Sequence, residues 1–550
     1  MPTPHRTIIV GGVAAGMSVA TRLRRLDEHA QITVLERGEY VSFANCGLAY
    51  HVGGVIPRRE DLLLNSPERL TARFRLDVRT RSEVTSIDPD RQTVAVNGET
   101  LPYDDLVIAT GAAPLVPEIP GSERMLSLRS IEDMDHITDA IDDLPPDSPI
   151  VIAGAGYVGL ELAENLTHRG FQVTLVQRGD TVLGLDPELS SVVEEHLTQS
   201  GVTLHMGTTV TAVNDGTVDL DNGTTVPAAL VISAIGVRPE SDIAAAAGVR
   251  TGPSGAIVVD SEQRTSVDHI WAVGDVALKI SAIDGSPRPV ALAGPANRDG
   301  RYLADALVST DRSLAPRPSF ATAIIEVFGL TVASFGASQR SLSGTQRPVR
   351  IIHTHPSSHA TYYPGAEGMS IKLVVDADTD LILGAQIVGG SGVDKRIDVL
   401  LTAASAGLTA SALANLELAY APQFGSAKDP INMLGYIALN LRDGVSRTIQ
   451  WSELDREIAA GATLVDVRSA EEFAAGAIPE SVNIPLDELR DRAQQLPAGR
   501  LVVHCQVGQR GHTAARLLNQ LGFDAVNLDG GFRTWLAGNR SRQPQPLGAP

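Results

Sequence analysis

Short apolar runs alternate with glycine-rich turns and amphipathic stretches over the first half of the chain. Residues 7–10 and Gln31–Leu35 are predicted strands, and the turn from Gly11 to Gly16 separates the first of them from a predicted helix. A strand, a glycine turn, a helix and a second strand in this order predict a βαβ unit with two parallel strands.

The same pattern returns about 140 residues later. A predicted strand over residues 149–152 leads into a turn at 154–159, which is followed by a helix over 160–168 and a strand over 173–176. Two further apolar runs end in Thr110-Gly111 and in Gly274-Asp275. Two βαβ units in one chain predict an α/β fold with two Rossmann-like nucleotide-binding domains.

A third α/β pattern occupies residues 451–535. An apolar run at 501–504 is predicted to be a buried strand, the loop from Cys505 to Arg510 follows it, and a helix is predicted over 513–521. Residues 441–451 are expected to link this module to the rest of the chain.

Composition and charge limit the binding partners and the cellular location that we expect for these domains. Of the 550 residues 43% are hydrophobic, and the formal net charge of −20 argues against binding to nucleic acid or to an anionic membrane surface. No run of about 18 apolar residues is present, and the first residues lack the pattern of a secretory signal, so we expect a soluble protein in the cytoplasm. No metal site is predicted.

Each glycine turn has the chemistry of a dinucleotide site. Small residues at a helix N-terminus let backbone N–H groups approach a pyrophosphate, and Glu36, 20 positions after Gly16, is placed to accept hydrogen bonds from ribose hydroxyls. The first turn departs from GxGxxG at Val13, whereas the second keeps all three glycines. The second unit ends in Gln177 and Arg178 without an acid, which favours NADPH over NADH because an arginine can meet a 2′-phosphate.

Cys46 lies directly after the first βαβ unit, in the segment Ser42-Phe43-Ala44-Asn45-Cys46-Gly47-Leu48. Free N–H groups at a helix start stabilise a thiolate, so we expect the pKa of Cys46 to be lowered. The only other cysteine of the chain is Cys505. A reducing cytosol disfavours a structural disulfide between them. Because no second cysteine lies near Cys46 in the sequence, Cys46 is expected to form a mixed disulfide, a persulfide or a sulfenic acid.

The two nucleotide units and the SFxNCGLxY segment resemble the FAD-dependent pyridine nucleotide-disulfide oxidoreductases. Within them the chain is similar to the coenzyme A-disulfide reductases and to the rhodanese-fused NAD(P)H-dependent persulfide reductases. The resemblance implies a homodimer with FAD, with NADPH or NADH, and with coenzyme A as substrate or bound ligand. It also implies an FAD-binding domain at 1–115 and 245–315, an NAD(P)H-binding domain at 116–244 and an α+β dimerisation domain at 316–440.

The resemblance assigns roles to single positions. Two tyrosines are expected to reach the partner subunit's site, where their phenols protonate a leaving thiolate. Two positions differ from the family pattern: a lysine is replaced by Phe74 and a histidine by Asn297. The coenzyme A positions are Ser18, Arg22, Arg25, Ser42, Asn45, Tyr362 and Tyr420. The cofactor positions are Gly11, Gly12, Val13, Ala14, Ala15, Gly16, Glu36, Arg37, Ser42, Asn45, Thr110, Gly111, Gly274 and Asp275, together with Gly154, Gly156, Tyr157, Val158, Gly159, Glu161, Arg178 and Gly236.

The loop from Cys505 to Arg510 has the pattern C-x-x-G-x-R between a strand and a helix. Its N–H groups are expected to point at the cysteine sulfur and to stabilise a thiolate and then a persulfide, while Arg510 adds positive charge. With LVDVR at 464–468 and LDGGF at 528–532, the loop resembles that of a rhodanese, which implies a rhodanese domain at 452–540. A phosphatase or an arsenate reductase of the same fold is the main alternative, although those reactions need a wider loop.

We therefore expect a flavoprotein that reduces coenzyme A disulfide or persulfide, including polysulfide, through Cys46 and transfers sulfur through Cys505. The expected catalytic residues are Cys46, Cys505, Arg510, Tyr362 and Tyr420. Two alternatives remain open. One is an NADH oxidase or peroxidase in which Cys46 cycles through sulfenic acid, and the other is a flavin-binding sulfur carrier or redox sensor with slow turnover.

Overall fold

The structure is a computed structural model that describes residues 5–309 and 318–542. The chain forms two compact units, residues 1–178 with 208–321 and residues 179–207 with 322–550. The predicted boundary between the FAD-binding and dimerisation domains, at 315–316, lies outside the described residues. Among the described residues, no helix is both long enough and apolar enough to cross a bilayer.

The first unit contains a five-stranded parallel sheet built around the first βαβ unit. Arg6–Val10 pairs with Gln31–Leu35 on one side and with Asp105–Ile108 on the other. The central strands are apolar on both faces, as parallel strands covered by helices are, and Ile9 and Val107 are fully buried. The strand order is Ile270–Ala272, Asp105–Ile108, Arg6–Val10, Gln31–Leu35, Asp77–Arg79.

A second parallel sheet carries the second glycine turn. Its helix, Tyr157–His168, begins at the turn itself, three residues earlier than predicted, because the glycine turn leads directly into helical backbone. The strands of this sheet within the unit are Gln172–Gln177, Pro149–Ala153, Leu230–Ser233 and Met125–Ser127, in that order. The two sheets confirm the predicted α/β class with two Rossmann-like domains.

The remaining elements of the first unit cover these sheets or extend from them. Its other helices are Ala14–Leu26, Leu48–Val52, Pro67–Phe74, Ile131–Asp142, Asp242–Ala246 and Ala293–Val308, with short 3₁₀ helices at Asn45–Gly47, Arg59–Leu62, Ser122–Arg124 and Gly274–Val276. Its antiparallel strands are Val84–Asp88, Thr93–Val96, Glu99–Pro102, Ala112–Pro114, Val210–Val213, Thr217–Leu220, Thr225–Pro227, Val237–Pro239, Lys279–Ile280 and Pro287–Arg288.

The second unit contains an antiparallel sheet, and strand Met369–Asp376 of that sheet is buried along its whole length. The strand order is Ala323–Val327, Leu330–Gly336, Ile382–Gly389, Met369–Asp376, Val349–Thr354. The helices of this part are Pro187–Gln199, Gln339–Leu342, Val393–Ser405 and Pro430–Arg442, with a 3₁₀ helix at Ser411–Asn415 and a strand at Thr203–Met206.

The C-terminal part of the second unit is a parallel sheet with helices around it. Two predictions need correction here. Thr448–Ile449 falls in the predicted linker but forms an edge strand, because it pairs with Asn527 and Leu528. The helix after the cysteine loop is Gln509–Gln520, so it begins four residues before the predicted start and includes Arg510, because Gly508 with φ +92° ends the loop there.

The strand order of this sheet is Thr448–Ile449, Asp524–Leu528, Arg500–His504, Thr463–Asp466, Val482–Asn483. Its helices are Leu454–Ala459, Ala470–Ala474, Leu486–Arg492, Gln509–Gln520 and Gly531–Arg542, with 3₁₀ helices at Trp451–Glu453 and Ala493–Gln495.

Candidate active sites

The first glycine turn is shaped by close backbone approach. Gly11 has φ +107°, and a Cβ on Gly16 would lie 1.9 Å from the carbonyl oxygen of Gly11. The Glu36 carboxylate accepts hydrogen bonds from the N–H groups of Gly12, at 2.8 Å, and Gly38, at 2.9 Å. The backbone therefore approaches closely at Gly11 and Gly16, and helix Ala14–Leu26 starts at this turn with Val13 as its N-cap, an arrangement that fits a pyrophosphate.

Asp275 provides a test of whether this part of the chain fits a flavin. Its Oδ1 atom is buried and has no hydrogen-bond partner among the described residues. Burial raises the pKa of its carboxyl, against the opposing charges of Lys279 and Arg129. Gly274 brings Asp275 close to the first turn, since a Cβ on Gly274 would lie 2.8 Å from that of Ala15. A buried oxygen that lacks a donor fits the ribityl hydroxyl of an FAD.

The second glycine turn repeats the first with one change. A Cβ on Gly159 would lie 2.0 Å from the carbonyl oxygen of Gly154, whereas nothing lies within 4 Å of one on Gly156. The Gln177 amide oxygen accepts the N–H of Ala155 at 3.0 Å, so it takes the position of the first unit's acid without its charge. Arg178, which follows it, is exposed. These residues fit a dinucleotide without a carboxylate against its ribose.

The other predicted cofactor residues border these turns. Tyr157 and Val158 form the first turn of helix Tyr157–His168. Thr110 Oγ1 donates to the carbonyl oxygen of Glu240 at 2.7 Å, and the Arg37 guanidinium pairs with the Glu240 carboxylate at 2.7 Å. Backbone with positive φ occurs at Gly111, +74°, and at Gly236, +117°.

The Cys46 loop is fixed to the first glycine turn. Ser42 has φ +51°, and its N–H donates to the carbonyl oxygen of Gly12 at 2.8 Å. The chain then forms the 3₁₀ helix Asn45–Gly47, in which both Asn45 and Cys46 are exposed. The structure therefore places the predicted reactive sulfur beside the predicted FAD turn.

The expected lowering of the pKa of Cys46 is wrong. Although part of Cys46 reaches solvent, the protein atoms around its sulfur take water away from the thiolate and raise the pKa of Cys46, and the carboxylates of Glu161 and Asp275 add to this effect. The 3₁₀ helix Asn45–Gly47 and the α-helix Leu48–Val52 that follows it directly do not offset these contributions. Burial also raises the pKa of Glu161 to about 7, although the Tyr50 hydroxyl donates to its carboxylate at 3.3 Å.

The helix Ala14–Leu26 carries three of the predicted coenzyme A residues. Ser18 Oγ donates to Asn297 Oδ1 at 2.6 Å, and the Arg25 guanidinium lies 6.0 Å from the centre of the Phe74 ring. Asn297 and Phe74 are the two positions that depart from the family pattern, so both departures contact this surface. Arg22, the third residue, pairs with Asp305 at 2.6 Å, which offsets part of its charge.

Tyr362 and Tyr420 are brought together by the second unit. Their hydroxyl oxygens are 2.9 Å apart, and both side chains are exposed. The hydrogen bond from Tyr362 raises the pKa of the Tyr420 hydroxyl. The pair presents two phenols to solvent at one place, although the residues are 58 positions apart in the sequence, and their role at the partner subunit's site stays a prediction.

The loop from Cys505 to Gly508 encloses the sulfur of Cys505, and we refer to this loop as the cradle. Cys505 is fully buried among apolar side chains that include Val503 and Ala514, and its Sγ accepts the N–H of Gly508 at 3.2 Å. A donor aimed at a buried sulfur stabilises the thiolate and a persulfide built on it. One N–H group of the loop, that of Gly508, is therefore directed at the sulfur, and the role of the other predicted donors stays a prediction.

Arg510 has a partner that the sequence alone did not reveal. Its guanidinium makes a two-pronged ion pair with the Glu472 carboxylate, with both N–O distances at 2.7 Å. The hydrogen bond from Arg510 lowers the pKa of Glu472 to about 2. Glu472 also accepts from the N–H of Ser469 at the start of helix Ala470–Ala474, and this capping-box spacing, S-x-x-E, was the available signal.

A second ion pair, between Arg468 and Asp466, contacts the Cys505 loop through Gln506. The buried Arg468 guanidinium pairs with the Asp466 carboxylate at 2.7 Å and donates to the side-chain oxygen of Gln506 at 3.2 Å. It also lies 4.2 Å from the centre of the Phe532 ring. The D-x-R spacing was visible in the sequence, but its contact with the loop was not.

Comparison with known proteins agrees with this geometry. A model described as pyridine nucleotide-disulphide oxidoreductase matches residues 5–296, the dimerisation domain of that family matches 322–429, and a rhodanese-like domain matches 450–538. A coenzyme A disulfide reductase of Staphylococcus haemolyticus is 32% identical over 444 residues, which are 80% of this chain and 100% of that relative.

Two solved structures share all of these parts. A Bacillus anthracis protein described as reduced CoADR-RHD is 42% identical, with a TM-score of 0.96 over 98% of this chain and 99% of its own. An NAD-dependent persulfide reductase from A. fulgidus is 35% identical, with a TM-score of 0.90 over 96% and 100%. These matches confirm the predicted resemblance, the oxidoreductase class and the FAD and NAD(P)H cofactors. The chain belongs to the pyridine nucleotide-disulphide oxidoreductase family.

Proposed function

We propose that the chain uses NAD(P)H to reduce a disulfide or persulfide at Cys46, with coenzyme A carrying the sulfur, and that it transfers sulfane sulfur through Cys505. The observation that carries this proposal is the presence of two unlike free thiols in one chain. One is exposed in a loop that is hydrogen-bonded to a flavin-type turn, and the other is buried and accepts the N–H of Gly508. The relatives named as coenzyme A disulfide reductase and persulfide reductase support both halves.

At Cys46 the chemistry is thiol–disulfide exchange. The Cys46 thiolate attacks one sulfur of the substrate, the substrate S–S bond breaks, and the leaving sulfur departs as a thiolate or as hydrosulfide. Two electrons from NAD(P)H then cleave the mixed disulfide and restore Cys46. Tyr362 and Tyr420 are proposed to protonate the leaving sulfur, since their exposed hydroxyls lie 2.9 Å apart.

At Cys505 the chemistry is transfer of a sulfur atom without net oxidation. The Cys505 thiolate attacks a sulfane sulfur, such as the outer sulfur of thiosulfate, and sulfite leaves with the electron pair of the broken S–S bond. The Gly508 N–H, 3.2 Å from Sγ, and the Arg510 guanidinium stabilise the negative sulfur in both states. A thiol acceptor then takes the outer sulfur and returns Cys505.

FAD, when bound, relays two electrons from NAD(P)H to the sulfur at Cys46. We propose that the turn from Gly11 to Gly16, with Glu36 and Asp275, holds the flavin, and that the turn at 154–159 with Arg178 holds the pyridine nucleotide. Coenzyme A is proposed to contact Ser18, Arg22 and Arg25. The absence of an acid at Gln177 supports use of NADPH as well as NADH.

Assembly and location follow from the same features. The family's dimerisation domain supports a homodimer in which each tyrosine pair serves the partner subunit's Cys46. Two free thiols and no disulfide among the described residues are typical of a reducing compartment, which supports the cytoplasm. The domain boundaries proposed above are those of the sequence prediction, with Thr448–Ile449 moved into the rhodanese domain.

A substrate panel tests this function. Purified protein is supplied with NADPH or NADH and with coenzyme A disulfide, coenzyme A persulfide, oxygen or peroxide, and the oxidation of the nucleotide is followed. We expect the persulfide or the disulfide to be the fastest acceptor and coenzyme A or hydrogen sulfide to be released. Faster turnover with oxygen or peroxide would instead support an oxidase or peroxidase, and slow turnover with every acceptor would support a carrier or sensor.

A further inference from the structure

His353 lies buried between two carboxylates of the second unit. Its backbone N–H and its Nδ1 both contact Asp529 Oδ2, at 3.0 and 2.7 Å, and its Nε2 contacts Glu188 Oε1 at 2.9 Å. Both ring nitrogens therefore donate, which requires an imidazolium. Burial opposes this charge, but the hydrogen bonds that His353 donates to Asp529 and Glu188 outweigh it and raise the pKa of His353 to about 9.

The charges around His353 form a nearly balanced buried cluster. Lys372 Nζ lies 2.5 Å from Glu188 and 2.9 Å from the carboxylate of Asp186, and each of these side chains is at most 2% exposed. The cluster thus contains three carboxylates and two cations, and Gln450 Nε2 donates to Asp529 at 3.2 Å. The buried imidazole of His355 is electrostatically coupled to His353 and to Arg533.

Asp529 begins the turn that supports the Cys505 loop. A Cβ on Gly531 would lie 2.4 Å from the carbonyl oxygen of Cys505 and 2.8 Å from the nitrogen of Gly508. The N–H of Phe532 donates to that same Cys505 oxygen at 2.8 Å.

Two further contacts complete the connection between His353 and the Cys505 loop. The N–H of Arg533 donates to the carbonyl oxygen of Gln506 at 3.0 Å. On the other side, a Cβ on Gly530 would lie 2.8 Å from the Cβ of His353. The path from His353 through Asp529 to the loop therefore consists only of direct contacts.

We propose that His353 is a positioning residue for sulfur transfer at Cys505. Its imidazolium holds Asp529, and Asp529 holds the Gly530–Gly531 turn against the loop, so that the Gly508 N–H stays aimed at Cys505 Sγ. His353 belongs to the antiparallel sheet and Glu188 to helix Pro187–Gln199, so the cradle of the C-terminal domain is completed by residues outside it. This inference rests on the proposed sulfur transfer at Cys505.

The test measures the ionisation of Cys505 directly. In full-length flavoprotein carrying Cys46→Ser, the rate of alkylation of Cys505 by iodoacetamide is followed against pH, with and without His353→Gln. We expect H353Q to raise the pKa of Cys505. In protein with Cys46 intact, H353Q should slow sulfur transfer from thiosulfate to dithiothreitol by roughly 10- to 100-fold, the cost of a small misplacement at a reactive group. Reduction of disulfide at Cys46 should keep its rate.

Arg540→Gln is the matched control. Arg540 pairs with Glu195, which lies on the same helix as Glu188, but the pair is exposed, and Arg540 stands near the end of helix Gly531–Arg542 opposite to the Asp529 turn. R540Q should change neither the pKa of Cys505 nor sulfur transfer. If H353Q lost its flavin or failed to fold, Asp529→Asn would decide, since it keeps the shape of the side chain and removes only the charge.

The outcomes separate the positioning role of His353 from the proposed sulfur transfer at Cys505. An unchanged pKa of Cys505 in H353Q, or in D529N where that variant decides, overturns the positioning role. A wild-type protein that transfers no sulfur overturns the proposed function of Cys505, while the alkylation profile still decides whether His353 controls the ionisation of the thiol.

Discussion

Cys46 and Cys505 are placed in opposite surroundings. Cys505 is fully buried and accepts an N–H from its own loop, whereas Cys46 is exposed and lies within the electrostatic reach of the carboxylates of Glu161 and Asp275. Among the described residues no hydrogen bond reaches the sulfur of Cys46. One thiolate is therefore stabilised by protein groups already in place, and the other is disfavoured by them.

The difference indicates which of the two thiols depends on bound ligands for its reactivity. A buried cradle can hold a persulfide anion without further groups, because its donors are preorganised. An exposed thiol near two carboxylates lacks such donors, so it needs hydrogen-bond donors from bound ligands before its thiolate becomes the favoured form. We therefore expect Cys505 to react with sulfane sulfur in the absence of NAD(P)H and Cys46 to depend on its cofactors.

Removing each sulfur should give the largest effects. Cys46→Ser should lower disulfide and persulfide reduction at least about 1000-fold, because a hydroxyl does not form the mixed disulfide, and it should leave thiosulfate sulfur transfer intact. Cys505→Ser should do the reverse. NAD(P)H oxidation, and the sulfide released from thiosulfate with dithiothreitol as acceptor, are measured on the same preparations and check the separation. Loss of both activities in either variant would show that the two thiols form one site.

The buried cluster should make the C-terminal part of the chain sensitive to alkaline pH. Since the pKa of His353 is raised to about 9 from an ordinary value near 6.5, its ion pairs contribute fully below about pH 6.5, and the contribution is lost as the pH rises through about 9. His353→Gln should lower the free energy of unfolding by about 3 kcal/mol at pH 6. Denaturant unfolding at pH 6 and pH 10 measures this, and a gap between variant and wild type that does not shrink at pH 10 would contradict it.

Arg510 offers a smaller and more local change. Glu472 holds its guanidinium in a two-pronged pair, so Glu472→Gln should release Arg510 and slow sulfur transfer at Cys505 by roughly tenfold. Reduction at Cys46 serves as the internal control, because it should not change. The rate with thiosulfate as donor is the measurement, and an E472Q protein with the wild-type rate would show that the pair has no positioning role.

Periodicity and glycine spacing predicted the two nucleotide-binding units and the cysteine loops, because these depend on local backbone geometry. Three features were not predictable from local pattern. The start of helix Gln509–Gln520 depends on the φ of Gly508, the Thr448–Ile449 strand depends on pairing with Asn527, and the His353–Asp529 contact joins residues 176 positions apart. The pKa of Cys46 was predicted in the wrong direction because a cysteine's sequence neighbours reveal neither the burial of its sulfur nor Glu161, which lies on a different helix.

The smallest expected effect concerns that same carboxylate. Replacing Glu161 by Gln removes a charge that opposes the Cys46 thiolate, so the pKa of Cys46 should fall, by less than about one unit because its burial remains. The pH dependence of Cys46 alkylation in protein carrying Cys505→Ser measures this shift. Glu164→Gln, on the same helix and electrostatically coupled to Glu161, is the matched control and should shift the curve less. If the alkylation curve of E161Q shifts to higher pH instead, the Glu161 carboxyl is protonated in the wild type and donates to the sulfur of Cys46. The contrast between the two cysteines would then fail at Cys46.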